Sequence, residues 1–161
     1  CGTLFPYTTL FRSLGALPRL QDLGIRSFLI ADSLIGVVSQ RLVRRICSHC
    51  KERYAASEWE NEYLKDPTIT DLYKGTGCEL CNGSGYFGRT LVYECLAVDR
   101  ELSKLVDSQA ELNVIMEKAK ESGFVDIFAT TVTKVKEGIT TTEEAMRVLG
   151  NVRYVKKGTK V

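Results

Sequence analysis

The sequence lacks both a strong charge of either sign and a long apolar run. Its 161 residues contain 22 Lys and Arg against 20 Asp and Glu, a formal net charge of +2, which argues against bulk electrostatic binding to nucleic acid. The longest apolar stretch, Phe28 to Val38, is interrupted by Asp32 and Ser33 and is too short to span a bilayer. A hydrophobic content of 44% with 26% charged residues excludes a disordered chain and indicates one globular domain or two small ones.

Cysteine is the one residue type whose arrangement is unusual. Four of the six cysteines form two Cys-x-x-Cys pairs on either side of residues 51–77: Cys47, Cys50, Cys78 and Cys81. Two such pairs present four thiolates from two tight turns, which can close a tetrahedron around Zn²⁺. The gap exceeds the usual zinc-ribbon spacing of about 15–20 residues, but an insert can loop out without moving the ligands. Because four cysteines leave no position for a substrate, the predicted zinc is structural.

The alternative interpretations of these pairs are disulfides or one redox-active Cys-x-x-Cys. No signal peptide opens the chain, so an oxidising compartment is not indicated, and a redox motif would leave the second pair without a role. We therefore predict zinc, with His49 as a turn residue rather than a ligand. Cys95, which follows Leu91 and Val92, is expected to pack as a small hydrophobic side chain.

Basic residues are concentrated around the first cysteine pair. They are Arg41, Arg44, Arg45, Lys51 and Arg53. Positive neighbours favour deprotonated cysteines, and this cluster would offset the net negative charge of a zinc ion with four thiolates. The same residues equally fit a solvated basic helix end or a patch for an anionic partner, so both interpretations stay open.

The glycines after the second pair form the string Gly83-x-Gly85-x-x-Gly88, which matches the dinucleotide-binding fingerprint. That fingerprint must follow a hydrophobic strand and open a helix. Here it follows the cysteines and leads into residues 90–93, which are typical of a strand. We therefore reject nucleotide binding at this loop and expect the glycines to allow a tight backbone behind the metal.

Helices are predicted before the first cysteine pair. A short helix over 17–23 is ended by Gly24, and Ser27 is expected to cap a long helix that reaches about Val43. Near-continuous apolarity indicates that this helix is buried on several sides, yet its partner surface is missing from the chain. Its apolar positions are Phe28, Leu29, Leu34, Ile35, Val38, Leu42 and Val43.

Capping residues predict most of the later elements. Ser57 and Glu60 form a capping box for a helix to about Lys65, and residues 89–96 are a predicted strand. Asp99 is expected to cap the next helix, and Thr140 or Thr141 the last one. Four helices, over 99–106, 110–122, 124–138 and 140–150, are expected to bury one common core.

The two ends of the chain are expected to stand outside the fold. Residues 1–13, CGTLFPYTTLFRS, look like a translated sequencing-adapter string and are interpreted as a non-native segment; a short native strand is the alternative. Residues 151–161 form a basic tail, which is interpreted as frayed or as a cloning remnant.

Three strings in order carry a resemblance to a known family. They are LGIRSFLIADSLIGVVSQRLVRRICSHCKERY, GCELCNGSGYFGRTLVYECLAVD and EGITTTEEAMRVLG. Together they resemble the C-terminal third of type II secretion and type IV pilus assembly ATPases, over roughly residues 14–150. The specific feature is the ordered combination of QRLVRR, the two Cys-x-x-Cys pairs, Gly-x-Gly-x-x-Gly-Arg and Gly-x-Thr-x-x-Glu-Glu.

The resemblance implies a mixed α+β fold that is mostly helical. Residues 14–46 would be the terminal helices of a RecA-like P-loop NTPase domain, which would explain the buried helix without a partner. Residues 47–96 would be a four-cysteine zinc subdomain, and residues 97–150 a small C-terminal helical bundle. By that likeness the structural zinc is held by Cys47, Cys50, Cys78 and Cys81.

The family's members are cytoplasmic, hexameric ATPases at the bacterial inner membrane that drive the assembly of pilin or pseudopilin fibres. The implied partners are the other subunits of the ring and an inner-membrane platform or cytoplasmic adaptor protein, with no nucleic acid and no direct membrane insertion. Arg41 and Arg44 would face nucleotide or a neighbouring subunit. Their alternative role is that of surface arginines near the zinc site.

The family's P-loop, Gly-x-x-x-x-Gly-Lys-Ser/Thr, is absent from the sequence. Phosphoryl transfer needs the P-loop lysine, the metal and a water-positioning group together. We therefore predict that this chain alone does not hydrolyse ATP, and that ATP and Mg²⁺ bind elsewhere in the parent protein.

Two other classes of zinc module compete with this interpretation. The string CELCNGSG fits one repeat of a DnaJ-like chaperone module, but CSHCKERY lacks the glycines of such a repeat. A nucleic-acid-binding zinc ribbon requires a basic stripe with exposed aromatic residues around the cysteines. The segment between the pairs instead carries Glu52, Glu58, Glu60, Glu62, Asp66 and Asp71.

Overall fold

A computed structural model describes residues 13–150. These residues divide into two compact units. Unit 1 comprises residues 13–41 and 91–131, and unit 2 comprises residues 42–90 and 132–150. Within the described residues, no helix combines the length and the apolar character needed to cross a membrane. The predictions for residues 1–12 and 151–161 lie outside the described residues, whereas Ser13 is fully buried.

The described chain mixes helices with short sheets, as predicted. In order, the elements are α1 (Ala16–Asp22), α2 (Ser27–Ser33), β1 (Gly36–Ile46), β2 (Lys51–Ala55), α3 (Glu58–Leu64), β3 (Asp71–Gly75), β4 (Tyr86–Ala97), α4 (Arg100–Asp107), α5 (Leu112–Glu121), α6 (Ile127–Lys136) and α7 (Thr142–Leu149). A single turn of 3₁₀-helix covers Glu79–Cys81. Strand β1 pairs with β4, and β2 pairs with β3.

The long helix predicted from Ser27 to about Val43 is wrong. Helix α2 ends at Ser33, and residues 36–46 form strand β1. Backbone hydrogen bonds flank the strand at both ends, because Val98 N–H donates to the Ile35 carbonyl and Cys47 N–H donates to the Gly85 carbonyl. The pairing of β1 with β4 joins segments that are far apart in the sequence, and it outweighs the local helical pattern.

The predicted burial of that segment and the role of Ser27 also need correction. The N-cap of α2 is Arg26, while the Ser27 hydroxyl accepts hydrogen bonds from the side-chain amides of Gln21 and Gln109. Several apolar side chains predicted to be buried are exposed: Phe28, Leu29, Ile35, Val38 and Leu42.

Unit 1 has its own apolar core between α1, α2, α4, α5 and the end of β4. The Asp99 carboxylate accepts the backbone N–H groups of Glu101 and Leu102, which confirms it as the cap of α4. The buried residues are Leu14, Leu17, Ile30, Leu96, Leu102, Val106, Ile115, Met116 and Ala119.

Unit 2 contains the antiparallel pair of β2 and β3, and α3 lies between these strands in the sequence. Lys51 lies opposite Gly75, and Ala55 opposite Asp71. The predicted capping box of α3 is confirmed, since Ser57 N–H donates to the Glu60 carboxylate. Lys65, the residue that follows the helix, has φ +57°. The buried apolar residues of this part are Leu64, Leu72, Val135 and Ala145.

The four predicted later helices exist, but they do not share one core. The buried residues of α4 and α5 belong to the core of unit 1, whereas Val135 of α6 and Ala145 of α7 pack with Leu64 and Leu72 in unit 2.

Cys95 is exposed rather than packed, contrary to the prediction. The physical reason is the period of two along β4. Val92, Glu94 and Leu96 face inward, so Cys95 between them faces outward.

Candidate metal centre

The two Cys-x-x-Cys pairs lie at the ends of strands in unit 2. Cys47 follows the last residue of β1, and Cys50 precedes the first residue of β2. Cys78 caps the 3₁₀ turn, and Cys81 ends it. The strands that lead into and out of these turns therefore carry all four thiols to one place.

The four sulfur atoms form a compact group. The Cys47–Cys78 and Cys50–Cys81 Sγ separations are both 3.8 Å, and the Cys78–Cys81 separation is 3.6 Å. All four lie within 4.8 Å of one another. Sulfurs at the corners of a tetrahedron with Zn–S of about 2.3 Å lie about 3.8 Å apart, so this donor set fits zinc. The separations far exceed the ~2.0 Å of a disulfide, and all four cysteines are free.

Backbone N–H groups point at two of the sulfurs. Cys81 Sγ accepts from the N–H groups of Cys78 at 3.2 Å and Gly85 at 3.3 Å. Cys50 Sγ accepts from Gly77 N–H at 3.3 Å. Such donors stabilise a thiolate, which is the form that binds metal.

The thiols include one that ionises readily and one that does not. Burial disfavours the charged form of Cys81, but the N–H groups of Cys78 and Gly85 and the neighbouring thiols outweigh it and lower its pKa to about 6. Burial, with hydrogen bonds among the thiols, raises the pKa of Cys50 to about 11, although Gly77 N–H acts in the other direction. Four ionised sulfurs at these separations require a cation between them, which a divalent metal ion supplies.

The predicted role of the glycine string is confirmed at Gly85. Its carbonyl accepts the Cys47 N–H at 2.9 Å, and its N–H donates to Cys81 Sγ. Its φ is +74°, and a Cβ atom at this position would overlap the backbone of Gly75. The string leads into β4 rather than into a helix, so it lacks the structural context of a dinucleotide-binding loop.

Most of the predicted basic cluster has other partners. Arg53 forms a salt bridge with Asp71, and the Lys51 ammonium lies 4.2 Å from the centre of the Tyr73 ring. Arg44 binds the carboxylate of Glu144.

The remaining basic residues of the cluster, Arg41 and Arg45, are exposed. His49 is exposed as well, and it lies in the turn between Cys47 and Cys50 as predicted.

The carboxylate that binds Arg44 belongs to Glu144, a residue whose pairing with Arg44 the sequence does not predict. Its side chain is fully buried. Arg44 Nε and Nη2 bind it at 2.9 and 2.8 Å, and Arg147 Nε and Nη2 bind it at 2.7 and 2.6 Å. Burial alone would raise the pKa of Glu144, but hydrogen bonds from Arg147 and Arg44 lower it to about 2. The residue is therefore ionised near neutral pH.

The family follows from comparison of the sequence with known proteins. The profile of the family described as type II/IV secretion system protein matches residues 9–147. The chain belongs to this family. It is 44% identical over 140 residues to the type II secretion system ATPase E of Vibrio cholerae, a match that covers 84% of this chain and 27% of that protein.

Relatives include pilus assembly ATPases as well as secretion ATPases. The chain is 38% identical to the type IV pilus assembly ATPase TfpB of Acinetobacter baylyi, over 83% of this chain and 24% of that protein. It is also 38% identical to the type IV pilus assembly ATPase PilB of Thermus thermophilus, over 81% of this chain and 15% of that protein. The chain therefore spans about a quarter or less of the length of these relatives. Family membership favours the secretion and pilus interpretation over a chaperone module or a nucleic-acid-binding ribbon.

Proposed function

We propose that this chain is the zinc-binding C-terminal part of a hexameric ATPase that powers type II secretion or type IV pilus assembly. The observation that carries the proposal is the group of four sulfurs with the separations of a zinc tetrahedron, in a chain of this family. Residues 14–46 would belong to the RecA-like core, 47–96 to the zinc subdomain and 97–150 to the C-terminal helical part.

The proposed zinc ion is a structural element held by Cys47, Cys50, Cys78 and Cys81. Four thiolate ligands leave no open coordination position, so the ion would not activate a substrate. Binding of such an ion is worth about 10–16 kcal/mol of apparent free energy near pH 7, compared with a net stability of about 5–15 kcal/mol for a typical domain. Zinc would therefore decide whether the two cysteine turns are folded.

The motor activity is proposed for the whole protein and not for this chain alone. The chain has no P-loop lysine motif, and ATP and Mg²⁺ would bind outside it. Arg41 and Arg44 would face nucleotide or a neighbouring subunit of the ring. Arg44 would do so while its guanidinium stays bound to Glu144. The proposed location is the cytoplasmic side of the inner membrane, through a platform or adaptor protein.

The proposal is tested by metal analysis and an ATPase assay on the purified chain. We expect about one zinc ion per chain, lost in Cys47→Ser and retained in Cys95→Ser, because Cys95 lies outside the sulfur group. We expect no Mg²⁺-dependent ATP turnover above that of a mock purification. Clearly less than one zinc per chain contradicts the metal site. ATP turnover that copurifies with the chain contradicts the proposal that ATP is hydrolysed only by the whole protein. Reading the upstream gene sequence tests the parent protein, which must contain an in-frame P-loop.

A further inference from the structure

The segment from Ile139 to Glu144, which joins α6 to α7, contacts the strand that delivers Cys47. Ile46 N–H donates to the Ile139 carbonyl at 2.9 Å. The Thr140 hydroxyl donates to the Arg44 carbonyl at 2.8 Å, and Arg44 N–H donates to the Glu144 carboxylate at 2.9 Å. Backbone groups of both Arg44 and Ile46 are thus fixed by this segment immediately before the first ligand.

The same segment also contacts the strand that leaves the second cysteine pair. The Tyr86 hydroxyl and the Thr141 hydroxyl are 2.7 Å apart. The Arg44 guanidinium lies over the Tyr86 ring at 4.0 Å from its centre. Tyr86 directly follows Gly85, the residue that binds both Cys47 N–H and Cys81 Sγ. The segment therefore binds Arg44, which precedes the first cysteine pair, and Tyr86, which follows the second pair.

Glu144 is the residue on which these contacts converge. Its carboxylate binds the backbone N–H of Arg44 and the guanidinium groups of Arg44 and Arg147, and its own N–H donates to the Thr141 hydroxyl that caps α7. Because Glu144 is fully buried, changing it to glutamine replaces one acceptor oxygen by an NH₂ group, so the Arg44 N–H and the two guanidinium groups no longer all have an acceptor. Only two residues separate Arg44 from Cys47 along β1, so a displaced Arg44 backbone moves the first ligand.

We propose that Glu144, with Thr141 and Tyr86, positions the two cysteine turns for the metal, so that zinc affinity depends on residues that touch no sulfur. This inference rests on the zinc site of the proposed function. Residues that orient metal ligands from outside the coordination sphere typically change metal affinity by about 10–100-fold when they are replaced. Glu144 acts through the backbone and is therefore expected to lie at the lower end of that range.

The test uses the full 161-residue chain and its apparent zinc dissociation constant, measured by competition with a chromophoric chelator. We expect Glu144→Gln to weaken zinc binding about tenfold while the stoichiometry stays at one zinc per chain. Two matched controls accompany it. Glu143→Gln removes an exposed carboxylate from the same helix, and Glu60→Gln removes a buried, hydrogen-bonded carboxylate of the same unit that lies on α3.

The Glu60 control separates positioning from general destabilisation. Both buried substitutions are expected to lower the denaturation midpoint. Glu144→Gln should lower zinc affinity much more than Glu60→Gln, whose carboxylate meets the segment at Thr142, and only Glu144→Gln should alter the thiolate-to-metal absorption of the Co²⁺-substituted chain. Equal zinc affinities in Glu144→Gln and the wild type, or equal losses in Glu144→Gln and Glu60→Gln, would overturn the proposal. A wild-type chain that binds no zinc would overturn the zinc site itself, which distinguishes the two failures.

If Glu144→Gln does not fold, a milder variant still tests whether zinc affinity depends on this segment. Tyr86→Phe removes only the hydroxyl that meets Thr141 and leaves the ring beneath Arg44. We expect it to weaken zinc binding about threefold, as the loss of one hydrogen bond in the support. An affinity unchanged by this substitution in a folded chain would contradict the proposal.

Discussion

Gly75 and Gly85 approach each other so closely that neither position can hold a side chain. A Cβ atom built on either residue overlaps the carbonyl oxygen of the other. Gly75 ends β3, and Gly85 precedes β4, so the contact brings the end of β3 against the backbone that follows the second cysteine pair. Glycine at both positions therefore allows the close backbone contact beside the sulfur group.

Replacing Gly85 by alanine should cost more stability than replacing Gly83. Both residues have φ +74°, but a Cβ atom on Gly83 meets nothing within 4 Å. Each substitution carries the left-handed backbone cost of roughly 1–2 kcal/mol, and Gly85→Ala adds an overlap of about 1–3 kcal/mol. Denaturant unfolding of the zinc-loaded chains measures the difference, and equal stabilities of the two variants would refute the close approach.

Thiol labelling should separate Cys95 from the four clustered cysteines. In a chain with Cys1 replaced by serine, Cys95 is expected to react rapidly with a maleimide because it is exposed. The other four should react slowly while zinc is bound and rapidly after a chelator removes it, since the metal occupies their sulfurs. Mass spectrometry counts the labels. Fast labelling of five cysteines in the zinc-loaded chain would speak against metal protection, and Cys95→Ser should lose only the fast label.

Removing the metal should loosen unit 2 and spare unit 1. All four cysteines belong to unit 2, while the core around Leu17, Leu102 and Ile115 lies within unit 1. After chelation we expect amide hydrogen exchange to accelerate in residues 42–90 and to stay slow in α4 and α5. Equal acceleration in both units would show that the metal stabilises the chain as a whole.

The cap of α4 should make unit 1 sensitive to acid. Hydrogen bonds from Leu102 N–H, the Ser122 hydroxyl and Glu101 N–H, with Lys118 nearby, lower the pKa of Asp99 from 3.8, although desolvation opposes them. A carboxylate with a depressed pKa in the folded state stabilises that state above its unfolded pKa, and the contribution disappears as the pH falls through the folded value. Asp99→Asn keeps a capping side chain but cannot titrate.

The measurement is the free energy of unfolding of both chains, from neutral pH to below the ordinary pKa of aspartate. The stability advantage of the wild type over Asp99→Asn is expected to shrink as the pH is lowered. A gap that is constant or that widens toward acid would mean that Asp99 is not ionised in its capping role. Asp107→Asn, at the other end of α4, serves as the comparison for loss of a charge.

The sequence was a good guide where the signal is local. Glu60 accepts the N–H of Ser57 at the start of α3, and Asp99 and Thr141 accept helix N–H groups three residues later. A short segment therefore contains the whole interaction. The grouping of the four cysteines was also predictable, because two Cys-x-x-Cys pairs are a pattern typical of metal sites and their spacing defines the turns. These features require no knowledge of the remainder of the fold.

The errors came from interactions between distant segments. Residues 36–46 contain apolar residues compatible with a helix, and only pairing with β4 makes them a strand. The exposure of Cys95 is a different error, because the alternation along the predicted strand β4 already places Cys95 on the face opposite Val92, Glu94 and Leu96. The bond between Arg44 and Glu144 joins residues 100 positions apart, and nothing in either local sequence indicates the other. A single sequence does not reveal such long-range partners.

The hydrogen bonds to Cys81 also imply an order of events during assembly. Both donors, Cys78 and Gly85, lie close to Cys81 along the chain, so this turn can form by local collapse. Bringing Cys50 to Cys81 requires closure over residues 51–80, which loop entropy slows. We expect the second pair to capture the ion first through two sulfurs, and the first pair to complete the tetrahedron once β2 and β3 have paired. The rate of metal loading would then be set by the pairing of β2 with β3 rather than by the encounter with the ion.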